Sequence, residues 1–306
     1  MHILIRKNNN LQIMETKRMK GKDFLTLLDI DQNKLMELLK LSLMLKENLY
    51  SDSLKKKTLA MLFAKTSTRT RISFETAMTH LGGHAINLKW EETNFVKGNI
   101  KDEARVLGLY CDAVMVRVFT HKQTLMIAEG CEKPVINGMD DLYHPCQALA
   151  DLLTILEVKK SFKGIKLGWV GDATNVFNSL MLGAKMVGME VVAAIPEGYE
   201  PRIKTNATIV RDPKEAAREA DVLVTDTWVS LGLEKEKEER IKVFKPYQLN
   251  SKLLSIAKKD CIVLHCLPAQ RGYEITSDVL DSPQSAIFQE AENRLHTEKA
   301  LLLDLI

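Results

Sequence analysis

Five donor side chains stand in a row at residues 67–71: Ser67, Thr68, Arg69, Thr70 and Arg71. Before them, residues 59–64 (LAMLFA) form an apolar run of the length and composition of a buried strand. After them, Phe74, Ala77, Met78 and Leu81 recur at i, i+3, i+4 and i+7, and Gly82-Gly83 closes the helix that this spacing predicts. The donors therefore belong to a helix N-terminus, where free backbone N–H groups and the positive end of the macrodipole favour an anion. A single Ser-Thr pair there would read as an ordinary cap. Five consecutive donors, two of them arginines, point to a phosphate-sized ligand.

Other polar clusters occupy equivalent places. Arg117 lies near the end of the apolar run MVRVF, and YHPCQ (143–147) opens a helical stretch. GDATN (171–175), TDTWVSLG (225–232) and HCLPA (265–269) each follow an apolar strand candidate. Each has a plain structural reading taken alone: Gly171-Asp172 as a turn, His144 as a helix cap, Cys266 as a small buried thiol. Their common position at strand ends is what unites them, because open α/β sheets bind ligands outside the carboxyl ends of their strands.

The elements that must hold these clusters alternate along the chain. Strand candidates fall at 59–64, 85–88, 113–118 and 135–136, then at 166–170, 191–195, 207–210, 222–225 and 262–265, with helical stretches between most of them. This pattern predicts an α/β protein of two doubly wound parallel-sheet domains. A first domain is expected over 1–155 and a second over 156–285. The last stretch, 286–306, reads as one helix that packs back on the first domain. The polar, Gly-ended KKSFKG (159–164) is the expected hinge, and the charge run LEKEKEER (233–240) reads as a solvated loop or helix end.

Bulk composition narrows the function. At 306 residues the chain has room for two cores, and its formal net charge of +3 gives no case for nucleic acid. Five cysteines without a CxxC pair argue against disulfides and zinc and fit a reducing cytoplasm. The first residues hold an apolar run too short for a signal peptide and read as a frayed extension; no apolar run has membrane-spanning length.

Taken together, the turn at 67–71, the His144-Pro145-Cys146-Gln147 element, DTWVSLG, HCLPA and AENRLHT (291–297) resemble the aspartate/ornithine carbamoyltransferase family, and its ornithine-type branch most. The resemblance spans most of the chain. It implies transfer of the carbamoyl group of carbamoyl phosphate to the δ-amine of L-ornithine, giving L-citrulline and phosphate, with no metal and no organic cofactor. It implies that Ser67, Thr68, Arg69, Thr70 and Arg117 hold the phosphate. His144 and Gln147 would bond the carbamoyl group, together with Arg69 and the backbone around Cys266 and Leu267, and Arg294 would close the site. The α-groups of ornithine would fall to Asn175, Asp226, Ser230 and Leu231. Cys266 would accept the amine proton or position the amine. The resemblance further implies a homo-oligomer, a trimer or a multiple of it, in which Asn94 of the loop 89–99 reaches a neighbouring subunit.

The chain departs from the family pattern at four places. Leu231 stands for a usual Met, Thr174 for a usual Asn, and Asp102-Glu103-Ala104-Arg105 for Asp-Thr-Ala-Arg, while the loop 89–99 is about one residue short. A transferase for putrescine or an acylated ornithine is disfavoured by Asp226 and Ser230, since such substrates lack one or both charged α-groups. A non-catalytic binding protein is disfavoured because no key polar position is lost. A dinucleotide-dependent dehydrogenase is disfavoured by the absence of GxGxxG near Gly171 and by the arginine-rich first turn.

Overall fold

The computed structural model describes residues 2–7, 10–15, 18–229 and 234–306. They divide into two compact units, 1–153 with 293–306, and 154–292. Both divisions fall inside helices.

The first unit opens with an antiparallel pair, β1 (His2–Lys7) and β2 (Asn10–Glu15), where the sequence suggests only a frayed extension. Its main elements are α1 (Gln32–Glu47), β3 (Thr58–Phe63), α2 (Arg69–His80), β4 (His84–Lys89), α3 (Ile100–Tyr110), β5 (Ala113–Arg117), α4 (His121–Gly130), β6 (Val135–Met139) and the start of α5 (Pro145–Lys159). The four strands β3 to β6 are parallel, in the order β4-β3-β5-β6. Leu59, Met61, Leu62 and all of Ala113–Val116 are buried, as expected of strands covered on both faces, which therefore read as continuous apolar runs.

The second unit contains β7 (Lys166–Val170), α6 (Asn175–Met186), β8 (Glu190–Ala194), β9 (Thr208–Val210), α7 (Pro213–Ala217), β10 (Val222–Thr225), α8 (Lys237–Phe244), α9 (Ser251–Leu254), β11 (Ile262–His265) and α10 (Ser277–Leu280). Its five strands are parallel, in the order β11-β10-β7-β8-β9. Its core gathers Leu223, Trp228, Phe244, Val263 and Ile287.

The last helix, α11 (Ile287–Leu305), returns the chain to the first unit. Asn293 accepts from Lys46 at 2.9 Å, and Asp304 pairs with Lys34 at 3.1 Å. The buried Lys299 ammonium donates to the carbonyls of Leu45 and Leu49 at the C-terminal end of α1 (3.2 and 2.7 Å), where orphan carbonyls and the helix dipole favour a cation.

Strand order locates the chemistry. In the first sheet the winding reverses between β3 and β5; in the second it reverses between β7 and β10. At such reversals the following loops separate and leave a crevice at the strand ends. β3 leads into residues 67–71, β5 ends at Arg117, β7 leads into 171–175, and β10 into Asp226.

Candidate active site

Each unit carries one polar cluster at its sheet reversal. In the first, Ala64 N donates to the Arg117 carbonyl at 2.8 Å, which ties the start of the donor-rich turn to the end of β5. Thr68 stands at the N-cap of α2, yet its hydroxyl makes no capping bond, and the first turn holds no acidic residue. The cap hydroxyl and the helix N-terminus are thus not spent on each other.

Thr70, Arg117, Gln147 and Arg294 form a connected network. The buried Thr70 hydroxyl accepts from Arg294 Nη2 at 3.1 Å and from Arg117 Nη1 at 3.4 Å. Arg294 Nη1 donates to Gln147 Oε1 at 2.9 Å, and Gln147 Nε2 donates to Asp151 at 2.8 Å, so the amide orientation is fixed at both ends. His144 precedes α5 and is buried; burial first, then the charges of Arg294, Arg117 and Arg69, hold its pKa well below the ordinary histidine value. A neutral imidazole offers one ring N–H and one lone pair. Opposite a carbamoyl group, whose oxygen accepts and whose nitrogen donates, both are useful.

The turn that delivers His144 is pinned by Asp140, a residue the sequence does not single out. Its carboxylate accepts from the Leu142 and Tyr143 N–H groups (2.9 and 2.8 Å), from Thr124 (2.9 Å) and from Asn137 (2.8 Å), and it pairs with His121 at 2.7 Å. An Asp two and three residues before the N–H groups it holds is the local signal that marks such a turn. Lys65 is a second unannounced member: burial, then the nearby Arg117 charge, lower its pKa. Arg71 points elsewhere, pairing with Glu75 on the exposed face of α2 at 3.0 Å. Ser67 is half-buried on the turn, and Asn94 stands exposed on a short 3-10 turn, Asn94–Val96, whose Phe95 packs on Trp90 at 5.1 Å.

In the second unit the centre is Asp226, buried at the end of β10. Its Oδ2 accepts from the Thr174 hydroxyl at 2.8 Å; its Oδ1 accepts from Thr227 N–H at 2.7 Å and from the Cys266 thiol at 3.1 Å. Thr174 is also the N-cap of α6, which begins with Asn175. The departure from the family's usual Asn thus lands on a residue with two tasks. Gly171 adopts φ +135 as β7 turns into this loop, a conformation that requires glycine. Leu267 N–H donates to His265 Nδ1 at 2.8 Å, so the proton of this imidazole sits on Nε2, facing Glu274 at 3.1 Å. That pair fixes the loop bearing Cys266 and Leu267. Ser230 and Leu231 lie outside the described residues.

The charge run 233–240 is not wholly solvated. Arg240 is buried, pairs with Asp172, donates to the Trp228 carbonyl and lies over the Tyr199 ring at 5.0 Å. Asp172 has its pKa raised to about 6 by burial, against the pull of Arg240. Among the described residues no cluster of histidine, cysteine, aspartate and glutamate has the arrangement of a metal site, and no helix is long and apolar enough to cross a membrane.

Comparison with known proteins finds two family models along the chain. Residues 22–157 match the family model described as the carbamoyl-P binding domain of aspartate/ornithine carbamoyltransferase, and residues 163–305 match its Asp/Orn binding domain. The chain is 49% identical over 299 residues to the ornithine carbamoyltransferase of Archaeoglobus fulgidus, covering 93% of this chain and 97% of the relative. It is 47% identical over 296 residues to that of Bacillus subtilis, covering 92% and 93%. Among solved structures, ornithine carbamoyltransferase from Pyrococcus furiosus superposes with a TM-score of 0.91 at 45% identity, covering 95% of this chain and 98% of the other.

Proposed function

The chain belongs to the aspartate/ornithine carbamoyltransferase family, and from that premise we propose that it transfers the carbamoyl group of carbamoyl phosphate to the δ-amine of L-ornithine, releasing L-citrulline and phosphate. The observation that carries the phosphate side is the convergence of Arg117 and Arg294 on the Thr70 hydroxyl, beside a histidine held neutral. Ser67, Thr68, Arg69, Thr70 and Arg117 receive the phosphate. His144, Gln147, Arg69 and Arg294, with the Cys266-Leu267 backbone, hold the carbamoyl group.

The amine lone pair attacks the carbamoyl carbon, the bond from that carbon to the phosphate oxygen breaks, and phosphate leaves with the electron pair. One amine proton is lost, and the departing phosphate can carry it. Negative charge grows on the carbamoyl oxygen during attack, so fixed donors there favour the transition state over the ground state. The δ-amine has a reference pKa of about 10.4 and must arrive neutral.

On the amino-acid side, Asp226 receives the α-ammonium, while Asn175, Ser230 and the backbone at Leu231 complete recognition of the α-groups. Cys266 donates its thiol proton to Asp226, which supports a positioning role for it over that of proton acceptor. A trimer or a multiple of it, with Asn94 reaching a neighbour, completes the proposal, together with a cytoplasmic place in arginine metabolism. The units correspond in it to a carbamoyl-phosphate-binding and an ornithine-binding domain. The test is citrulline formation from carbamoyl phosphate and ornithine, with putrescine and aspartate as competing acceptors. Turnover with ornithine alone is the expected result, and a preference for either control would overturn the acceptor assignment.

A further inference from the structure

The reaction as proposed uses Arg294 but gives no task to its partner. Glu298 lies one turn further along α11, and its carboxylate is 1% exposed. Its Oε1 accepts from Arg294 Nε at 3.1 Å and from Nη2 at 2.7 Å. A planar guanidinium held at Nε and Nη2 has no freedom left to turn, so Glu298 also sets where Arg294 meets Thr70 and Gln147.

The surroundings of Glu298 come from several elements. Arg294 shares its helix, and the Ser73 hydroxyl faces it from α2. Cys146 and Asp151 of α5 act on the same ion pair, and Cys146 is held as a thiol by burial and by the Glu298 charge. Arg69, Arg117 and Arg294 act together on the neutral His144 nearby. Burial pushes the Glu298 carboxyl up to about 7, although Arg294 pulls it down. This carboxylate is therefore balanced by a guanidinium of the same arginine cluster that the incoming acyl phosphate would enter.

We propose that Glu298 is a positioning residue of this half-site, which aims the Arg294 guanidinium in the ligand-free chain and takes up a proton from solvent when a phosphate dianion docks against the arginines. The inference rests on the reading of this cluster as the carbamoyl phosphate site. Its physics is competition: two anions beside one arginine cluster repel in a medium of low dielectric, and the buried one relieves the repulsion by binding a proton. Uptake on binding has a definite sign. The affinity for carbamoyl phosphate should fall as pH rises through and above neutrality, and a carboxylate replaced by an amide should lose that dependence.

The experiment is calorimetric titration of the full chain with carbamoyl phosphate at pH 7.5, in buffers of different ionisation enthalpy, for wild type and Glu298→Gln. Glutamine keeps an oxygen for Arg294 and removes the charge. If docking raises the carboxyl by about one pH unit, the wild type should take up about half a proton per site. Glu298→Gln should bind without that uptake, and its affinity should vary up to about tenfold less between pH 6.5 and 9. Buffer-independent heats for the wild type, or equal uptake by both proteins, would overturn the proposal while leaving the transferase reading intact. Failure of the wild type to bind carbamoyl phosphate would overturn both. Infrared difference spectra of the wild type alone give a second measurement that does not depend on the variant folding. A protonated-carboxyl band should appear on adding carbamoyl phosphate, and its absence would also overturn the proposal.

Discussion

In the first unit, three guanidinium groups act on one neutral imidazole, and two of them meet on a single buried hydroxyl. In the second unit, one buried carboxylate is held by a hydroxyl, a backbone N–H and a thiol. The two clusters sit at the same topological place in two similar sheets, yet their chemistry is opposite in sign. Phosphate is a compact dianion, and cations fixed in advance stabilise it without reorganising when it arrives. An amino acid brings its own positive and negative α-groups, so one countercharge and several neutral donors suffice. The first cluster also carries an internal anion, Glu298, paired with Arg294. In the second, the Thr174, Thr227 and Cys266 donors on Asp226 are neutral.

Arg69→Ala should break the phosphate side hardest. Its guanidinium would serve both the ground-state phosphate and the growing charge on the carbamoyl oxygen. Loss of one such donor costs about 3 kcal/mol, a hundred- to thousandfold in kcat. Steady-state kinetics should show kcat falling together with carbamoyl phosphate affinity. A variant with reduced affinity and unchanged kcat would confine Arg69 to ground-state binding.

Asp226→Ala tests the other side. Carbamoyl phosphate affinity should stay near wild type, while norvaline, which keeps both α-groups of ornithine and lacks the amine nucleophile, should bind more weakly by about 2–3 kcal/mol. That is roughly thirty- to two-hundredfold, measured by calorimetry on the phosphate-saturated protein. Unchanged norvaline binding would remove Asp226 from α-ammonium recognition and erase the contrast between the two clusters.

His144 sharpens the comparison through pH. Its folded pKa is depressed, so the unfolded chain binds a proton below about pH 6.5 that the folded chain refuses. Folding stability is then lost as pH falls. Between pH 7.5 and 5.5 the wild type should lose about 1.4 kcal/mol more than His144→Gln, read from urea denaturation. Equal losses would mean that His144 is protonated in the folded chain and that the arginines do not govern it.

How much of this was legible in the sequence depended on the range of the interaction. The strands 166–170, 222–225 and 262–265 read correctly from apolar runs, because a parallel sheet covered on both faces needs apolar residues at every position. The strand, turn and helix around residues 67–71 read correctly because they lie contiguous in the chain, although Arg71 turns away to Glu75. Arg240 did not, because what buries it is Asp172 and the Trp228 carbonyl, brought to it by strand order and not by local pattern. The Arg294–Glu298 pair was within reach of an i, i+4 charge reading, which the AENRLHT signature stopped one residue short of making. The β1–β2 pair was missed because the basic, Asn-rich start of the chain offers no apolar strand pattern in sequence.

The smallest expected effect lies at Thr174, where this chain departs from the usual Asn. The hydroxyl donates to Asp226 Oδ2 at 2.8 Å and also caps α6. Thr174→Val keeps the shape and removes both bonds. One hydrogen bond to a charged group, partly open to solvent, contributes about 1 kcal/mol, so the KM for ornithine should rise roughly fivefold. The KM for carbamoyl phosphate should not move, because the partners of the hydroxyl are Asp226 and the N-terminus of α6. Thr174→Asn should recover most of the loss: asparagine is a strong N-cap, and its amide N–H can replace the hydroxyl as donor to Asp226. Recovery by Asn and by Ser, but not by Val, would show that the position selects for a donor and not for a shape. A wild-type ornithine KM in Thr174→Val would leave this side chain the helix cap, with Thr227 and Cys266 orienting Asp226 among the described residues.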